Sequence, residues 1–152
     1  METFTVRHGA WVVIGDGKKA LVLHNEGDAE LLNLRRVSVR ENHNPATRQQ
    51  GSDAPGRSSS PAGAGSSSIA GTDWHQIEED RFAASLADDI NTAARGHLFK
   101  DLIVVAPPKT LAELRKEFGK DTQKCIVGEL AKDYTHHTIP EIESLLLTHR
   151  PQ

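Results

Sequence analysis

Leu102-Ile103-Val104-Val105-Ala106 is an unbroken apolar run that Pro107-Pro108 brings to a stop. A strand with no polar face must be covered on both sides, so this run is expected at the centre of a sheet with helices packed on it. Proline fixes φ and lacks an N–H, so the pair ends the strand and prepares a helix start. Leu111, Leu114 and Phe118 then recur at helical spacing, and Gly119 offers a stop.

The chain ahead of this strand reads as an antiparallel start. Trp11-Val12-Val13-Ile14 is a buried strand, and Ala20-Leu21-Val22-Leu23-His24 is its hairpin partner. Gly15-Asp16-Gly17-Lys18-Lys19 forms the turn between them, two glycines and an Asp tolerating positive φ there. Asn25-Glu26-Gly27-Asp28 is a second turn, and Leu31 to Val39 alternates enough for a third strand. Asp73 reads as a helix N-cap, with Gln76 completing a capping-box pattern. Phe82, Leu86 and Ile90 lie on one face of that helix, Ala83, Ala87 and Ala94 widen it, and the helix should end near Gly96. Lys124 to Leu130 suits a strand around Cys125-Val127 that runs into a helical turn. Thr138 and Glu141 form a last capping box, with Pro140 in the first turn and Ile142, Leu145, Leu146 and His149 as the stripe.

The order is β-β-β-α-β-α-β-α, an α/β fold with a mixed five-stranded sheet. This order resembles ribonuclease H-like folds and the middle domain of archaeal and eukaryotic peptide-release factors. A chain of 152 residues suits a single domain over 1–152. Within it, residues 44–72 are expected as a flexible Gly/Ser/Pro-rich loop. Between Gly51 and Gly71, Gly, Ser and Pro make up 14 of 21 residues, so little apolar burial offsets the entropy of ordering them.

Composition excludes several roles. A net charge of −3 gives no global basic field, so DNA is not an expected partner. The single cysteine, Cys125, can form no internal disulfide or Cys₂His₂ zinc site, and its apolar neighbours suit a buried filler. The Met1–Thr5 start has no basic region leading into an apolar run, and no stretch approaches a membrane span, so a cytoplasmic protein without membrane partners is expected.

Catalytic chemistry finds little purchase. Two-metal cleavage needs three clustered carboxylates. Asp16 ends the first strand and Glu78 or Glu79 can approach it, but Ala106-Pro107-Pro108 occupies the place of a third, and Asp101 sits at the other end of its strand. His136-His137 are adjacent and diverge, while His75 and His97 are too distant on one helix to share an ion. No metal or other cofactor is expected. Ser66, Ser67 and Ser68 lack a Gly-x-Ser-x-Gly elbow, and no phosphate-loop motif occurs. Basic residues give the closest approach to a binding signal. Arg35, Arg36, Arg40, Arg48 and Arg57 surround the loop, and Lys109, Arg115, Lys116 and Lys120 decorate the second helix. Sharing a face, they would meet RNA phosphates.

The stretch Leu102-Ile-Val-Val-Ala-Pro-Pro-Lys-Thr-Leu-Ala-Glu-Leu-Arg-Lys resembles the signature of the bacterial host attachment protein family, "required for attachment to host cells". The resemblance continues through Val127-Gly-Glu-Leu-Ala-Lys-Asp-Tyr-Thr, Ile139-Pro-Glu-Ile-Glu-Ser-Leu-Leu, Trp11-Val-Val-Ile-Gly-Asp-Gly and Asp53-Ala-Pro-Gly-Arg57, and covers nearly the whole chain. It implies kinship with the release-factor middle domain, whose Gly-Gly-Gln loop helps place water for peptidyl-tRNA hydrolysis. The Gly51–Gly71 loop takes the corresponding place but holds Gln49-Gln50-Gly51 in another order. The resemblance therefore implies a non-catalytic binding module, ribosome- or RNA-associated and indirectly linked to attachment. The alternative is a release-factor-like hydrolase acting on peptidyl-tRNA through the loop. Candidate binding residues are Asp53, Gly56, Arg57, His75, Arg35, Arg36 and Lys109.

Overall fold

In the computed structural model, which describes residues 3–41 and 61–151, the Leu102–Val105 strand (β4) is fully buried at all four residues. It lies between β1 (Trp11–Gly15) and β5 (Ile126–Leu130), parallel to both. β2 (Lys19–Asn25) pairs antiparallel with β1, and β3 (Leu34–Glu41) antiparallel with β2. The sheet order is β3-β2-β1-β4-β5, so it is mixed and five-stranded as the sequence predicts.

The strand period of two divides the core between two faces. Val13, Val22, Leu102 and Val104 pack with Phe82, Leu86 and Ile90 of α1 (Pro61–Arg95) and with Leu111 and Leu114 of α2 (Pro108–Glu117). Val12, Ile14, Ile103 and Val105 pack with Phe4, Val6, Tyr134 and with Ile142 and Leu146 of α4 (Ile139–Leu147). Helices therefore cover both faces, as the all-apolar β4 requires. Among the described residues no helix is long and apolar enough to cross a membrane.

Local signals behave as read for α4. The Thr138 hydroxyl accepts from the Glu141 N–H (3.3 Å), and the Glu141 carboxylate accepts from the Thr138 N–H (2.8 Å). The hairpin turn closes by a different device from the one expected. Neither Gly15 nor Gly17 adopts positive φ. Instead Asp16 Oδ1 accepts from the N–H groups of Lys18 and Lys19, both at 2.7 Å, which turns the chain without a left-handed residue.

Two boundaries differ from the sequence reading. α1 starts at Pro61, so Asp73 is an interior residue, and the Gln76 amide donates to Asp80 (2.8 Å) one turn on instead of closing a capping box. Helix growth adds a backbone hydrogen bond for each residue ordered, and proline in the first turn loses nothing. Residues 61–72 of the expected loop thus belong to α1, while 44–60 lie outside the described residues. Near Cys125 the order is reversed: the helical turn α3 (Lys120–Cys125) precedes β5. Gly119 initiates α3, and Ile126 and Val127 then extend into the sheet.

Candidate functional site

The parallel strands β1, β4 and β5 bring their carboxyl ends to one edge of the sheet, where loops of open α/β sheets gather chemistry. The loop after β5 returns to the turn after β1. There the buried Thr135 hydroxyl donates to Asp133 and faces Asp16 Oδ2 at 3.2 Å. Burial would raise the Asp133 carboxyl, but hydrogen bonds from the Thr135 hydroxyl and N–H outweigh it and hold it below the usual range. His136 Nε2 stands 3.9 Å from Asp133 Oδ2. Asp16, Asp133 and His136 thereby offer one ligand atom each, all within 4.8 Å of one another, the donor set among the described residues that can hold a divalent cation. Close by, a side chain at Gly17 would meet the Glu79 carboxyl group at 2.8 Å, so glycine there leaves room for Glu79.

The amino ends of β1 and β4 build a different surface. A groove of about 500 Å³ lies between the Arg7–Ala10 turn and the His97–Asp101 segment. Asn25, fully buried at the end of β2, ties this region together. Its two amide hydrogens are shared among the carbonyls of Val6 (3.1 Å), Arg7 (3.2 Å) and Asp28 (3.1 Å), and its oxygen accepts from the N–H groups of Gly27 and Asn33 (both 2.9 Å). The Arg7 guanidinium is held by the buried Asp101 carboxylate through Nε (2.7 Å) and Nη2 (2.9 Å), which raises its already high pKa further.

A profile of the bacterial archaeo-eukaryotic release factor family 12 matches residues 9–146. The chain belongs to this release-factor family. It is also similar to the uncharacterized protein RP470 of Rickettsia prowazekii (strain Madrid E), 31% identical over 74 residues, which are 47% of this chain and 49% of the relative. The chain thus spans about half the length of that relative.

Of the candidate residues read from the sequence of this release-factor family member, Asp53, Gly56 and Arg57 lie outside the described residues. His75 is exposed on α1, next to Gln76, whose side-chain oxygen accepts from Lys109 Nζ (3.2 Å). Arg35 and Arg36 stand elsewhere. Arg35 pairs across the sheet with His24, which pairs with Trp11, so both arginines lie at the amino end of β1. Lys109 follows β4 at the opposite end, beyond Val105 and its partner Ile14. The sheet separates these cations, and Arg35 instead joins the edge that carries Arg7 and has a carboxylate neighbour in Glu26 (3.8 Å). Sequence reasoning rightly separated His136 from His137, which faces Glu141 at 3.5 Å. It missed Asp133, Thr135 and His136 as neighbours of Asp16. The polar Asp133–His137 run directly after β5 was the available signal.

Proposed function

We propose that this release-factor family member is a binding module that associates with the ribosome or its RNA and does no bond-breaking itself. The family match across residues 9–146 carries this reading. Two further observations support it. The segment between β3 and α1 holds Gln49-Gln50-Gly51 and no Gly-Gly-Gln, the triplet that serves hydrolysis in release factors. The amino edge of the sheet displays Arg35 and Arg36, both exposed, beside the Arg7 turn, an arrangement suited to phosphate contact. A link to host-cell attachment is then indirect, acting from the cytoplasm through proteins whose synthesis the module affects.

Co-sedimentation with purified ribosomes tests the proposal. Wild-type protein should pellet with ribosomes at low salt and release as salt rises, and replacing Arg57 or the Arg35/Arg36 pair by alanine should weaken the association. No association at low salt would sink the reading. Peptidyl-tRNA hydrolysis by the purified protein, lost on substitution within residues 49–57, would replace it with the hydrolase.

A further inference from the structure

The groove at the amino ends of β1 and β4 has features that a simple end-of-sheet hollow does not need. Three basic side chains line it besides Arg7: His8, His97 and Lys100, all exposed. Its lining acid, Asp101, is already committed to Arg7. Asp101 grips Arg7 by Nε and Nη2, so Nη1 has no partner among the described residues and remains available in a fixed position. The turn that carries Arg7 and His8 is fixed as well. Asn25 holds the Val6 and Arg7 carbonyls, the Gly9 N–H donates to the Asn25 carbonyl at 2.7 Å, and His8 Nδ1 lies 2.9 Å from the Gly27 carbonyl. An arginine held this way loses little freedom when it meets an anion.

His97 gives the most specific clue. α1 ends in a Schellman arrangement, with Leu98 N–H donating to the Ala93 carbonyl and His97 N–H to the Ala94 carbonyl, both at 3.0 Å. The residue in the left-handed position of that motif is usually glycine. Here Gly96 stands one place too early, and His97 takes the position at φ 58°. A side chain there costs backbone energy, and strained residues of this kind concentrate where a ligand is met. The strain puts an imidazole on the wall of the groove.

We propose that this groove is a phosphate-binding site, in which Arg7, Lys100 and the His97 imidazole hold a phosphoryl group. The site does not depend on the ribosome reading, since a nucleic-acid backbone and a free phosphate compound both carry such a group. Either source presents the same tetrahedral anion to the same three side chains.

The test uses the full chain and backbone amide NMR. Inorganic phosphate should produce saturable shifts confined to residues 7–10 and 97–101. Lys100→Gln and His97→Gly should each weaken binding about tenfold, the loss of one charge-assisted hydrogen bond. His97→Gly also separates binding from folding: glycine relieves the left-handed strain, so its melting temperature should equal or exceed that of the wild type while affinity falls. A short RNA with a 5′-hydroxyl that displaces phosphate from these residues assigns the source to the phosphodiester backbone. Displacement by a nucleoside monophosphate alone assigns it to a free phosphate. Absence of saturable shifts in the groove, or wild-type affinity in both variants, overturns the site. Ribosome co-sedimentation is scored separately, so failure of either reading leaves the other's result intact.

Discussion

Replacing Asn25 puts the buried polar junction beneath the amino-end groove to a quantitative test. Asn25→Leu keeps the branched shape and heavy-atom count in a fully buried position but removes the polar contacts to five backbone groups. Two part-buried backbone N–H groups, Gly27 and Asn33, lose their acceptor, and water can reach them, so each costs about 1 kcal/mol, the low end of the penalty for an unsatisfied donor. The three carbonyls lose a donor, with Val6 the most enclosed of them. Apolar transfer of the leucine returns about 1–2 kcal/mol. With the carbonyl losses included, the sum is a destabilisation of about 2–3 kcal/mol, a sizeable part of the roughly 5–15 kcal/mol that holds a domain together. Urea unfolding followed by circular dichroism should show the midpoint falling at unchanged slope. Asn25→Asp sharpens the test. It keeps both acceptor contacts but sets a carboxylate oxygen against three carbonyls. Burial and those dipoles raise its folded-state pKa above the unfolded value, so the folded state binds more protons. Stability of this variant should therefore be greatest at acid pH and fall as pH rises through the folded pKa. Loss of less than about 1 kcal/mol in Asn25→Leu, or an Asn25→Asp variant that weakens toward acid, would refute the assigned orientation of the amide.

Four further outcomes follow from the geometry. A methyl group at Gly27 would lie 2.1 Å from the Leu31 carbonyl oxygen, which is backbone and cannot swing aside, so Gly27→Ala should cost at least about 1–3 kcal/mol in chemical denaturation. A methyl at Gly128 would meet the Phe4 ring at 2.4 Å; Gly128→Ala should destabilise, and adding Phe4→Leu should recover part of the loss, a positive coupling in a double-mutant cycle. Hydrogen bonds from the Thr138 N–H to Glu141, and from the Leu31 and Glu30 N–H groups to Asp28, hold both carboxyls below their usual range. Their contribution is present above the unfolded carboxyl pKa and is lost as pH falls through the folded values, so Glu141→Gln, which removes one of the two titrating carboxyls, should flatten the acid limb of a melting-temperature profile. Burial, with Asp101 and Asp121 nearby, pushes the Cys125 thiol up, so alkylation at neutral pH should be slow and should accelerate sharply in denaturant.

What the sequence disclosed was mostly local. The Phe82-Leu86-Ile90 stripe and the Thr138–Glu141 box are set by neighbours three or four residues apart, so they could be read without knowing the fold. The all-apolar β4 announced a two-sided sheet because no other environment suits it. The start of α1 was harder to see, since its Gly- and Ser-rich first turns have weak intrinsic preference and the backbone ladder decides the outcome. The candidate sites were harder still. Thr135 and Asp16 are 119 residues apart and meet only because β5 lies two strands from β1. Asn25 looked like an ordinary turn residue, whereas it joins two loops and a strand. His97 was read as too distant from His75 to share a metal, which left unasked why a histidine should occupy a position made for glycine.

β3 pairs with β2 alone, so along its outer side alternate N–H and carbonyl groups meet no strand among the described residues. Val37 and Val39 are exposed on it, and a strand edge without a partner strand invites a second copy to add itself and continue the sheet. Antiparallel self-pairing about Val37 and Ser38 would set Arg35 of one copy against Arg40 of the other. Arg40 also latches the edge to Ser85 and Asp89 of α1, which keeps it from swinging clear. Each arginine already has a carboxylate neighbour, Glu26 for Arg35 and Asp89 for Arg40, so a second copy pairing here would have to seat itself among anchored, charged side chains, the kind of edge that resists continuation of a sheet.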